Sequence, residues 1–119
     1  VREVTQTILA DQIPGVPGNC LQAAVASLLE LDLDDVPHFI THDDWLQHLV
    51  NWGREHGYLV ISRPDDAVHM GIACGQSERG HQHAVVLIDG QIAWDPHPSR
   101  AGLVSISWAM SWEPLEPQP

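Results

Sequence analysis

The apolar pattern of this chain changes period once, near Gly57, and that change limits what it can fold into. Ahead of Gly57 apolar residues recur at helical spacing, and beyond it short apolar runs alternate with turn-rich pieces. Leu21, Ala24, Val25, Leu28 and Leu29 recur in CLQAAVASLLEL, a stretch without Gly or Pro. It follows the irregular loop IPGVPGN (13–19), whose last residue, Asn19, is a good N-cap, so a helix is predicted to begin at Cys20 and to stop before Pro37. A second helix is predicted over 42–56. Thr41 and Asp44 there resemble a capping box, Trp45, Leu49 and Trp52 share a face, and Gly57 stands at the C-terminal position. The segments 58–62, 68–74, 83–88, 91–95 and 103–107 read as strands. Helices followed by strands predict an α+β domain, with a long N-terminal helix carrying the cysteine packed on an antiparallel β-sheet. With 119 residues and no linker or repeat, residues 1–119 form a single domain.

Charge narrows the partners. Five arginines, no lysine and sixteen acidic residues give a net charge of −11, which argues against nucleic acid and against an anionic membrane. No apolar run approaches the ~20 residues that span a bilayer. VREVTQTILADQ lacks the order of a signal peptide, although a start at Val1 is compatible with a removed leader. The expectation is a soluble, cytoplasmic protein. Two cysteines in unlike settings make no disulfide framework, and without paired CxxC motifs a structural zinc is not expected. No cofactor is expected.

Cys20 stands at a predicted helix N-terminus, where unpaired N–H groups favour an anion and hence a thiolate. Cys74, in the apolar run HMGIACG, reads as a buried small hydrophobe. A cysteine nucleophile needs a histidine base, and the base needs an acceptor that fixes its tautomer. His83 and Asp95 are the best pair, at either end of the hairpin HAVVLIDGQIAWD. A two-residue Asp89-Gly90 loop would set Ala84 opposite Asp95 and send His83 and Asp95 to opposite faces. A three-residue loop, Ile88-Asp89-Gly90, would set His83 directly across from Asp95, and this register is expected.

The order of GNCLQAAVASLL and HAVVLIDGQIAWDP resembles papain-like cysteine peptidases, and is most similar to compact bacterial and phage forms such as the bacteriocin leader-processing peptidases. The likeness spans residues 12–96 as an arrangement. It implies a thiolate at Cys20, a base at His83 and an orienting carboxylate at Asp95, with a protein or peptide substrate cleaved through a thioester. Those enzymes also carry a glutamine ahead of the cysteine whose amide helps stabilise the oxyanion. Gln12 is the nearest match, with Asn19 an alternative donor and Gln22 a poorer one. In PHPSRAG (96–102), His97 and Arg100 are candidates to bind a substrate carboxylate or phosphate. SERGHQ (77–82) is expected to form the other rim of the cleft.

Three other readings compete. A deamidase or transglutaminase would use the same three side chains. A metal-dependent hydrolase would use His81, His83, Asp95 and His97 as ligands on neighbouring strands. An inactive binding module would present Trp108 and Trp112, with the tail EPLEPQP, to a partner. Oligomeric state is not legible.

Overall fold

The computed structural model describes residues 1–10, 12 and 17–115. Two helices precede five strands, namely α1 (Cys20–Leu29), α2 (Trp45–Glu55), β1 (Tyr58–Arg63), β2 (Met70–Gln76), β3 (Gln82–Ile88), β4 (Gln91–Trp94) and β5 (Ser105–Pro114). The strands form one antiparallel sheet in the order β1-β5-β2-β3-β4. The α+β class is therefore present. The cysteine helix is shorter than expected, at ten residues. It ends where Glu30 takes a left-handed conformation and the N–H groups of Glu30 and Leu31 both turn back to the Ala26 carbonyl.

α1 is apolar almost all round because it lies between the sheet and the N-terminal segment. Ala23, Ala24, Val25 and Ala26 are wholly buried. Small side chains let the helix sit close to β3, where it packs with Ala84, Val86, Ile72 and Met110. α2 buries Leu49 and packs on β1 through Gly53, whose missing Cβ leaves room for Val60 and Trp112. The expected capping box does not form. Thr41 Oγ1 donates to the His38 carbonyl and Asp44 pairs with His48.

The opposite face of the sheet carries a smaller cluster of Val68, Ala73, Val85, Leu87 and Ala109, covered by Leu103. β3 is thus buried on both sides, which explains the unbroken apolar run HAVVLI. β5 runs well past the expected end at 107. Gly71 and Gly75 let it approach β2, since a Cβ on either would lie 2.0 Å from a β5 carbonyl oxygen. The extension buries Trp112 completely, and Trp108 is half-buried, so these two do not form an exposed patch. Residues 116–119 of the tail lie outside the described residues.

Candidate active site

The hairpin that carries His83 and Asp95 is built differently from the expectation, yet it brings the two together. Asp89 and Gly90 both have positive φ, 50° and 77°, which makes a two-residue turn and pairs Ile88 with Gln91 and Leu87 with Ile92. That is the register that would separate His83 from Asp95. A β-bulge at Ala93 then adds one residue to β4, so that Val86 pairs with Trp94. Asp95 follows Trp94 directly, just beyond the last paired residue of β4. His83 and Asp95 are not a directly opposed pair, yet their side chains meet.

His83 Nε2 donates to Asp95 Oδ1 at 2.5 Å. Asp95 also accepts the backbone N–H of His97 on Oδ1 (2.9 Å) and of Gly102 on Oδ2 (2.7 Å). Burial works against the charged forms of both residues, but their mutual bond and charges outweigh it. Burial alone would lower the His83 pKa. The hydrogen bonds to Asp95 and Cys20 and the charges of both partners instead raise it to about 9. Burial would likewise raise the Asp95 pKa, but the bonds from His83, His97 and Gly102 hold it below the usual carboxylate value. With Nε2 given to Asp95, Nδ1 is the ring atom left to face Cys20, the first residue of α1.

Cys20 and His83 lie where two hollows meet. One, of about 250 Å³, is lined by Gln6, Gly18, Arg79, His81 and His97 among others. The second, of about 270 Å³, is apolar and lined by Ile40, Trp45, Ala84, Trp108 and Cys74. Burial, and the nearby charge of Cys20, push the Cys74 thiol up to about 12.

The oxyanion candidates fall elsewhere than expected. Gln12 is exposed, its Oε1 only 3.5 Å from the Leu9 N–H, and it does not line the cleft. Asn19 is fully engaged in structure. Its Oδ1 accepts the N–H groups of Thr7 and Ile8 at 3.0 and 2.8 Å, and its Nδ2 donates to Thr7 Oγ1 and Gln22 Oε1. Gln22 in turn holds the carbonyls of Leu33 and Val36. Sequence reasoning missed Gln6, which lines the cleft with its side chain buried. Its Nε2 donates to the Ile8 carbonyl at 2.8 Å and its Oε1 has no partner. The available signal was Gly18-Asn19. Gly18 passes close to Ile8 and Ala10, where a Cβ would lie 3.0 Å from the Ala10 nitrogen and 3.1 Å from the Ile8 carbonyl oxygen, and Asn19 clamps residues 7 and 8 beside Cys20.

Arg100 is not a free ligand-binding group. Its guanidinium donates to the carbonyls of Asp95 and His97 and to Thr5 Oγ1, and lies 4.1 Å from the Trp94 ring centre. It pins the N-terminal segment to the loop after Asp95. His97 does line the cleft, its ring 6.0 Å from that of His83. The metal reading gains nothing. His83 is committed to Asp95, and among the described residues no group of three or more His, Cys, Asp or Glu is placed to hold an ion. Also among the described residues, no helix is long and apolar enough to cross a membrane. Comparison with protein-family models, curated proteins and solved structures found no match.

Proposed function

We propose that this domain is a cysteine-dependent acyl-transfer hydrolase of papain-like type, cleaving a peptide or isopeptide bond through Cys20, His83 and Asp95. The observation that carries the reading is the buried His83–Asp95 pair whose free ring edge meets Cys20 at the junction of two hollows. A structural histidine has no need of such a setting.

The chemistry follows from the positions. Cys20 Sγ, its proton held by His83, adds to the acyl carbon. The oxyanion meets the Cys20 N–H, which as the first of α1 has no partner within the helix, and the amide of Gln6. His83 then gives its proton to the leaving amine, and the C–N bond breaks to leave a thioester. Water deprotonated by His83 attacks the thioester, releasing the acid and returning the thiol. Asp95 keeps the ring oriented and favours its charged form throughout.

Alkylation with iodoacetamide at neutral pH, read at each cysteine by peptide mass spectrometry, tests the reading. Cys20 is expected to react while Cys74 does not, and His83→Ala should slow Cys20 by about tenfold or more. A Cys20 no faster than Cys74, or indifferent to His83, overturns it.

A further inference from the structure

The two hollows beside Cys20 differ in chemistry, and the difference defines a substrate. They share Cys20, Ile40, Gln82 and His83 as a common wall. One side continues into the aromatic and aliphatic surface of Trp45, Trp108 and Ala84. The other continues to Arg79, flanked by the imidazoles of His81 and His97, and no acidic residue among the described residues lines it. On a chain of net charge −11 that placement is unusual. Arg2 is paired with Asp32, Arg63 with Glu113, and Arg100 is locked over Trp94. Arg79 has no acidic partner among the described residues and spends a single bond, from Nη1 to Ser99 Oγ at 3.1 Å. The turn that holds it is fixed at its base, where the Ser77 N–H bonds the His81 carbonyl and the Gly80 N–H bonds the Ser77 carbonyl. The guanidinium is therefore held at the cleft with most of its donors unspent.

We infer that the site takes an amide with an apolar acyl group and a leaving amine that carries a free carboxylate, the carboxylate bound by Arg79 beside His81 and His97. This rests on the hydrolase reading above and names its substrate class. An arginine fork binds a carboxylate through two parallel charge-assisted bonds, stronger than neutral ones. The hollow is only about 250 Å³, so the anion must lie close to the scissile bond. In amides built from amino acids, the carboxyl nearest the amide nitrogen is the α-carboxylate of the leaving residue. The substrate is thus an N-acyl amino acid or the C-terminal bond of a short peptide.

The test uses affinity labels and needs no natural substrate. N-bromoacetyl-glycine and N-bromoacetyl-glycinamide react alike, Cys20 Sγ displacing bromide to leave a thioether, and differ only in the terminal carboxylate. In the wild type the carboxylate reagent is expected to label Cys20 about tenfold or more faster than the amide. In Arg79→Gln the ratio should fall to about one, and Arg79→Lys should keep an intermediate ratio. Equal rates in the wild type, or a preference that survives Arg79→Gln, overturn the inference. So does faster labelling by N-bromoacetyl-aspartic acid α-amide, which carries its charge on the side chain. Iodoacetamide separates the two levels. A Cys20 that depends on His83 but shows no carboxylate preference removes the substrate class and leaves the hydrolase, whereas a Cys20 indifferent to His83 removes the hydrolase itself.

Discussion

His83 Nε2 donates to Asp95 Oδ1 at 2.5 Å with only 4% and 3% of the two side chains exposed, so the bond is made away from bulk water. The same carboxylate also ends the loop that follows it, through the N–H groups of His97 and Gly102. Catalytic orientation and local folding therefore depend on one side chain.

Asp95→Asn should expose that double duty. An amide offers one acceptor oxygen where three N–H groups now find two, and at least one buried donor loses its partner. A loss of roughly 2–4 kcal/mol is expected from urea unfolding, at 1–3 kcal/mol for each stranded buried donor. Because Asp95 helps raise the His83 pKa, the alkaline limb of Cys20 alkylation should move to lower pH. An unchanged limb would show that Asp95 does not act on His83.

The raised His83 pKa also predicts how stability depends on pH. A group held above its ordinary 6.5, at about 9 in the folded state, stabilises fully below about 6.5. Its contribution declines as pH rises and is gone above about 9. Asp95 has the opposite sign, since its lowered pKa stabilises above the ordinary 3.8 and is lost as pH falls through the folded value. Unfolding midpoints at pH 6, 8 and 9.5, compared with those of His83→Gln, isolate the first effect from the other histidines. The wild type should lose more stability across this range than the variant, and parallel curves would contradict the assignment.

Asn19 is predicted to matter for folding and for the site together. Its Oδ1 serves two backbone N–H groups, so Asn19→Ala strands both and should cost on the order of 2–5 kcal/mol. Asn19→Asp keeps that acceptor and loses the donors to Thr7 and Gln22, so it should be milder. Urea unfolding ranks the two. Alkylation of Cys20 should survive in Asn19→Asp, and an Asn19→Ala as stable as the wild type would remove the clamp.

What the sequence made legible follows from how local each signal is. Cys20 opening a helix and the strand order along the chain rest on periodicity and turn chemistry within a few residues, whereas His83 and Asp95 meet by a route other than the three-residue loop expected. The hairpin register was not legible in this way, because Asp89-Gly90 favours a two-residue turn and the bulge at Ala93 that shifts the pairing has no residue signature. Arg100 reads from the sequence as a candidate to bind a substrate carboxylate, and only tertiary contacts show that Trp94 and Thr5 occupy it. Gln6 was missed for the same reason, being fourteen positions ahead of Cys20 and brought beside it by a clamp that acts through backbone groups.

Gln6 permits a test that separates binding of the thiolate from stabilisation of the oxyanion. Alkylation by iodoacetamide is displacement at a saturated carbon and develops no oxyanion, whereas acylation by p-nitrophenyl acetate passes through one. Gln6→Ala should slow acylation of Cys20 by about 10²–10³-fold, the usual cost of one oxyanion donor, while alkylation changes far less. The fold should tolerate the change. The lost bond to the Ile8 carbonyl is offset by removal of a buried oxygen without a partner, so stability is expected to stay within about 1 kcal/mol. Gln6→Glu should be at least as slow, because it sets a negative charge against the developing one. Equal losses in both reactions would instead assign Gln6 to holding the shape of the cleft.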